Sequence, residues 1–141
     1  MIVHAGLIAL YVRGRWRGAL IEGESGAGKS DLALRALTLG FRLAADDRVR
    51  LWTSQGRLWG CAPDTLHGLV EVRGQPIART AALAFCEVAL IACCGAPDRA
   101  PDPATVVRLG VETPMITLAA LEASAPHKLR LALERAPQAS T

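Results

Sequence analysis

Apolar and polar positions along this chain change their period several times, and each change marks an element. Leu7 to Val12 and Ala19 to Glu22 are apolar runs of strand length. The segment between them, Arg13-Gly14-Arg15-Trp16-Arg17-Gly18, carries two glycines and reads as a hairpin connection or tight loop. From Lys29 to Leu39 the period becomes helical. Leu32, Ala33, Ala36 and Leu37 share one face, and Asp31, Arg35 and Thr38 turn outward. Asp31 lies in the first turn, where the helix dipole favours a carboxylate, and can pair with Arg35 four residues on. Gly40 is placed to end the helix.

Beyond it, Arg42 to Ala45 read as a strand running into Asp46-Asp47. Val49 to Trp52 and Arg57 to Trp59 read as a hairpin around Thr53 to Gly56. Ala62 to Thr65 should be loop, Val70 to Val72 a short extended piece, and Ala81 to Cys93 a further strand or two. The proline-rich stretch from Ala96 to Pro103 is expected to be irregular. Pro126 suits a first-turn position, and Lys128 to Ala136 read as a short basic helix. There is no internal repeat.

Composition narrows the classes. With 141 residues, 51% hydrophobic and 21% charged, the chain suits one compact globular unit rather than a disordered one. A formal charge of +3 is only mildly basic, and no arginine-rich run alternates with aromatics, so nucleic-acid binding is not expected. The longest apolar segment, Ala81 to Ala96, contains Glu87 and falls short of the roughly 20 residues a bilayer span needs. No membrane association is expected. Cys61, Cys86, Cys93 and Cys94 show no CxxC spacing, and the chain start lacks a signal peptide pattern. A reduced, cytoplasmic protein without structural zinc is the expectation.

The chemistry begins at Gly23-Glu24-Ser25-Gly26-Ala27-Gly28-Lys29-Ser30, a G-x-x-x-x-G-K-S string. Its glycines let the backbone turn tightly, so that successive N–H groups and the following helix N-terminus point at phosphate oxygens. Lys29 is then suited to the β- and γ-phosphates and the Ser30 hydroxyl to Mg²⁺. The string follows an apolar strand and opens an amphipathic helix, which is the setting this function requires. Asp46 and Asp47 stand at the end of the next strand, at the edge where open α/β sheets bind nucleotides. Adjacent extended residues face opposite ways, so one of the pair suits metal and the other proton abstraction. Glu71 and Arg73 share a face of a short strand and could serve metal binding and phosphate neutralisation, although taken alone they read first as an exposed ion pair. His4 precedes the first strand; His67 and His127 have no evident partners.

Taken in order, a histidine before the first strand, GESGAGKSDLAL, GFRLAADD and LVEVRG resemble the catalytic domain of bacterial HPr kinase/phosphorylase, from about His4 to Ile77. The resemblance implies an α/β fold: a P-loop nucleotide-binding core of the type shared with phosphoenolpyruvate carboxykinase, a mixed sheet with few helices. It also implies an ATP- and Mg²⁺-dependent serine kinase acting on the phosphocarrier protein HPr or a related carrier. Lys29 then corresponds to the phosphate-binding catalytic lysine, Ser30 to a Mg²⁺ ligand, Asp47 to the acid/base and Glu71 to a second metal ligand. Asp46 is a further candidate for metal, Arg73 for the transferring phosphoryl group, and His4 for a histidine near the γ-phosphate.

Members that dephosphorylate HPr well carry an arginine-rich segment ending in a Pro-Gly turn, which is not found after Pro76, so the phosphorylase direction stays open. The chain starts at the catalytic part, like a compact, truncated proteobacterial form. Residues 1–136 are expected to form one catalytic domain, with 137–141 a disordered tail; a homo-oligomer stays open. Two rivals remain: a P-loop small-molecule kinase or NTPase, and a non-enzymatic nucleotide-sensing module. The first would need an arginine-rich lid and the second no catalytic base.

Overall fold

The structure is a computed structural model that describes residues 1–63, 82–96 and 104–137, and the backbone alone at 69–70 and 78–79. The chain opens with β1 (Ile2–Val3), β2 (Gly6–Val12) and β3 (Arg15–Glu22). β2 and β3 form a hairpin closed by Arg13 and Gly14 alone, with φ of 49° and 83°. Two consecutive left-handed residues give a turn whose twist matches that of the strands, so the ladder starts at once with Val12 opposite Arg15. The six-residue connection expected from Arg13 to Gly18 is therefore corrected: Arg15, Trp16, Arg17 and Gly18 belong to β3. Tyr11 and Trp16 meet edge to face across it at 5.4 Å.

The phosphate-loop string leads from β3 into α1 (Lys29–Ala36), which tightens into a 3₁₀ turn at Leu37–Leu39 and ends at Gly40 with φ 91°. Leu32, Ala33 and Ala36 are buried as the helical period requires, and Arg35 donates to Asp31 at 2.9 Å. β4 (Arg42–Ala45) returns antiparallel to β2 at the sheet edge. A second two-residue turn, Gln55-Gly56, joins β5 (Val49–Ser54) to β6 (Arg57–Cys61), so that β5 takes in Thr53 and Ser54 of the expected turn, while β6 runs on past Trp59 to Cys61.

A short pair, β7 (Leu69–Val70) and β8 (Ala78–Arg79), stands apart as its own two-stranded sheet. The expected extended piece at 70–72 is covered only at Val70; residues 71–72, the proline-rich stretch at 97–103 and the tail at 138–141 lie outside the described residues, as do Glu71 and Arg73. β9 (Cys86–Cys94) is the sheet's central strand, parallel to β3 on one side. On its other side β6 pairs with its first residues and β11 with its last.

β10 (Ala104–Arg108) and β11 (Val111–Leu118) form a hairpin that the sequence reading did not contain. Its turn is once more a two-residue one, Leu109-Gly110, with φ of 48° and 80°. Pro114 sits ahead of the part of β11 that pairs with β9, where the strand has one neighbour and a missing N–H is tolerated. The main sheet runs β1-β5-β6-β9-β3-β2-β4 and is mixed.

The last helix, α2 (Ala125–Arg135), starts three residues before the expected Lys128, with Pro126 in its first turn. Leu129 and Leu133, one turn apart, are wholly buried with Leu32, Leu43, Ile21 and Leu90, so both helices cover one face of the sheet. The other face closes over a second cluster built from Leu7, Leu20, Leu51, Leu58, Val88 and Ile91. Two arginines of the first hairpin hold the C-terminal end of α2. Arg13 donates to the Glu134 carbonyl at 2.9 Å, and Arg17 to those of Ala136 and Pro137 at 2.8 and 2.5 Å. Carbonyls left over by the helix thus find cationic donors. Burial pushes the Arg17 guanidinium below its ordinary value, and the Glu87 carboxylate opposes that shift. Among the described residues no helix is long and apolar enough to cross a membrane.

Candidate functional site

β3 delivers the chain to the loop Gly23–Gly28 at the carboxyl edge of the sheet. Ala27 N–H donates to the Glu24 carbonyl at 3.0 Å and Leu32 N–H to that of Gly28 at 2.9 Å, so the loop passes through a turn directly into α1. Gly26 and Gly28 have φ of 85° and 97°, values that cost an L-residue about 1–2 kcal/mol. At Gly28, the residue capping α1, a Cβ would also stand 2.7 Å from Leu121 Cδ2. Glu24, Ser25 and Gly26 are exposed. Lys29 is buried, and its ammonium donates to the carbonyls of Gly23 and Glu24 at 2.8 and 2.9 Å. Of its three donors one remains for an incoming oxygen. Its charge also reaches Cys94 at the end of β9. Burial pushes that thiol up, and the Lys29 ammonium pulls against it.

The two aspartates separate as the sequence anticipates, but by another device than strand alternation. β4 stops at Ala45, and Arg48 N–H donates to the Asp46 carbonyl at 2.8 Å across Asp47, whose φ is 70°. An i to i+2 bond around a residue of positive φ is a tight, strained three-residue turn. It sends the two carboxylates apart. Asp46 is buried and accepts a hydrogen bond from Ser30 Oγ at 2.7 Å, which ties the aspartate pair to the phosphate loop. Asp47 is half exposed and meets His4 Nε2 at 2.5 Å, while Arg48 Nε lies 3.9 Å from its other oxygen. Ala5 N–H donates to the Asp47 carbonyl at 3.1 Å, so the backbone beside His4 braces the turn. Strain of this kind persists only where the surroundings over-determine it, and it collects at functional positions.

The structure thus brings together Gly23–Ser30, Asp46, Asp47 and His4, although His4 and Asp47 are 43 residues apart in the chain. Among the described residues no group of three or more His, Cys, Asp or Glu side chains forms a metal cage. The donor set that does form, the Ser30 hydroxyl with the Asp46 carboxylate, is hard oxygen. It suits Mg²⁺, which takes one or two carboxylates and completes its shell with phosphate and water.

Some neighbours escaped the sequence reading. Arg48 follows the aspartates directly and borders, with Ile2, Val3 and His4, a cavity of about 260 Å³ beside Asp47. Its position next to Asp46-Asp47 was a signal within reach. Arg108 of β10 donates to Glu22, the residue before the loop, at 2.7 Å; 86 residues separate them and no sequence signal joins them. Arg35 spans from α1 to the carbonyls of Ala120 and Glu122, fastening the segment after β11 to that helix.

Comparison with known proteins agrees with this architecture. The solved structure of the HPr(Ser) kinase/phosphatase from Coxiella burnetii superposes with a TM-score of 0.78 over 93% of this chain and 92% of that one, at 24% identity, a likeness of fold. HPr kinase/phosphorylase of Streptococcus thermophilus is 44% identical over 73 residues, covering 51% of this chain and 22% of that protein. The Clostridium tetani protein of the same name is 49% identical over 57 residues, 40% of this chain and 19% of its own. The chain thus aligns with about a fifth of the length of these curated relatives. Residues 1–83, which include the phosphate loop, both aspartates and the 71–73 positions, match the family described as the HPr serine kinase C-terminal domain. With its fold and more than half its length accounted for in this way, the chain belongs to the HPr serine kinase C-terminal domain family.

Proposed function

We propose that this chain is an ATP-dependent serine kinase whose acceptor is HPr or a related small phosphocarrier protein, acting in the cytoplasm. The observation that carries the reading is the Ser30–Asp46 contact. It sets the phosphate loop beside the aspartate pair, so a triphosphate held by the loop ends next to a candidate base.

In this reading the amides of Gly23–Gly28 and the α1 N-terminus receive the β- and γ-phosphates, and Lys29 offsets their charge. Mg²⁺, held by Ser30 and Asp46 with Glu71 as a further ligand, would supply charge neutralisation at the phosphates. Asp47 accepts the proton of the acceptor serine as that oxygen forms its bond to the γ-phosphorus and the bond to the nucleoside diphosphate breaks. His4, bonded to the same carboxylate, orients it. Arg73 neutralises charge on the transferring group. The roles of Glu71 and Arg73 rest on the family motif alone, within the matched residues. Residues 1–136 form a single catalytic domain in this reading, and both oligomeric assembly and the phosphorylase direction stay open.

The test is direct. Incubating the protein with HPr, ATP and Mg²⁺ should add one phosphate to a single serine, read by intact mass and peptide mapping. Turnover of ATP without any phosphoserine, or transfer to a metabolite in preference to the carrier, would refute the assignment.

A further inference from the structure

Three strands deliver their carboxyl ends to one edge of the sheet, because β3 is parallel to β9 and β9 to β11. β3 leads into the phosphate loop, β9 into Gly95, and β11 into Ala119–Glu122. Gly95 N–H donates to the Leu118 carbonyl at 2.8 Å and draws two of these ends together. Between them lies a cavity of about 460 Å³, walled by Ala27, Cys94, Gly95 and the 119–122 segment. Its size is that of small-molecule sites, roughly 300–1,000 Å³. Ala27 belongs both to this wall and to the phosphate loop, so a ligand anchored by its phosphates meets the cavity next.

Several polar groups of the wall are already engaged. Arg35 donates to the carbonyls of Ala120 and Glu122, and the Glu122 carbonyl also accepts from Ala125 N–H at 3.1 Å. The Ala119 carbonyl accepts from Glu122 N–H at 3.0 Å, and the Glu122 carboxylate takes Lys128 Nζ at 3.1 Å. What faces the space is mostly methyl, methylene and thiol: Ala27, Cys94, Ala119, Ala120 and Leu121. Leu121 is 72% exposed, and its tip rests over Gly28, at the seam between cavity and loop. A surface of this kind stacks a flat ring and offers few groups to its hydrogen-bonding edge.

We infer that this cavity holds the nucleoside of the triphosphate and discriminates weakly between bases, so that adenine and guanine nucleotides are both used. The inference rests on the reading that Gly23–Ser30 bind a nucleoside triphosphate. A site that reads a base by hydrogen bonds rejects the wrong one by large factors, whereas an apolar pocket discriminates by about 10–200-fold at most.

Calorimetric titration with ATP, GTP and inorganic tripolyphosphate, each with Mg²⁺, tests it on the wild type, Leu121→Trp and Leu121→Ser. ATP and GTP should bind within about 200-fold of each other, far inside the separation that a hydrogen-bonded base site gives. Leu121→Trp, which fills the cavity from an exposed position, should weaken both nucleotides by about tenfold or more and leave tripolyphosphate within about twofold. Leu121→Ser should weaken both nucleotides less and equally. A preference for either nucleotide beyond about 200-fold, or a parallel loss of tripolyphosphate in Leu121→Trp, overturns the inference alone. Failure of the wild type to bind tripolyphosphate or either nucleotide overturns the phosphate-loop reading and this inference together.

Discussion

Replacing Asp47 by Asn isolates the proposed base from everything else the residue does. Asn tolerates the left-handed conformation that Asp47 adopts at φ 70°, so the three-residue turn and the direction of Asp46 should persist. The amide can still meet His4, but it takes no proton. A positioned general base contributes about 10²–10⁴ in rate, or about 2.7–5.4 kcal/mol of barrier at about 1.36 kcal/mol per tenfold. The cost in stability should be far smaller. The His4–Asp47 contact is between side chains 55% and 48% exposed, where an ion pair is worth about 0–1 kcal/mol. For a domain of this size that is a Tm change of no more than about 4 °C.

Nucleotide affinity should stay within about threefold, since among the described residues the Asp47 side chain pairs with His4 and Arg48 rather than with the loop, and its half-exposed charge is screened. Three measurements on one preparation decide the matter: single-turnover phosphoserine formation, calorimetric nucleotide binding and thermal unfolding. A variant that binds nucleotide normally and phosphorylates within tenfold of the wild-type rate would show that Asp47 is not the base.

Other consequences follow from the same geometry. Ser30→Ala removes a hydroxyl from the buried Asp46 carboxylate and should cost about 1–3 kcal/mol of stability. It should also raise the Mg²⁺ concentration for half-maximal activity, read by metal titration at fixed ATP. Leu133→Ala, in the wholly buried seam between α2 and the sheet, should destabilise by about 2–5 kcal/mol in urea unfolding with an unchanged slope. The Cys86 thiol, pushed up to about 12 by burial and by the nearby Glu87 charge, should resist thiol reagents at pH 8 until the protein unfolds. Because its folded value lies above the ordinary one of 9.0, the folded state holds its proton more tightly. Stability should therefore fall between about pH 9 and 12, and Cys86→Ala should flatten that slope by about 1.4 kcal/mol per pH unit.

Features readable from the sequence were those that local chemistry dictates. The helix from Lys29 appeared through its 3.6-residue period, its Asp31–Arg35 pair formed as spacing required, and Gly40 ended it because only a left-handed residue closes that turn cheaply. The phosphate loop announced itself because glycine spacing encodes a backbone path. The errors have equally local causes. Arg13-Gly14, Gln55-Gly56 and Leu109-Gly110 close their hairpins with two residues each, and the sequence reading made the first two connections too long. It passed over β10 and β11 because a mostly half-exposed or exposed hairpin shows little apolar alternation and Pro114 interrupts it.

By itself, then, the sequence determined the strand–loop–helix that presents backbone amides, and the family to which the chain belongs, since both reside in short stretches whose spacing carries their physics. Only the tertiary structure decided which aspartate meets Ser30 and which meets His4, and that the ends of β3, β9 and β11 enclose a cavity beside the loop. These depend on a strained turn at Asp47 and on pairings between strands dozens of residues apart. No periodicity encodes such contacts; they exist once the sheet has closed and burial has chosen the register.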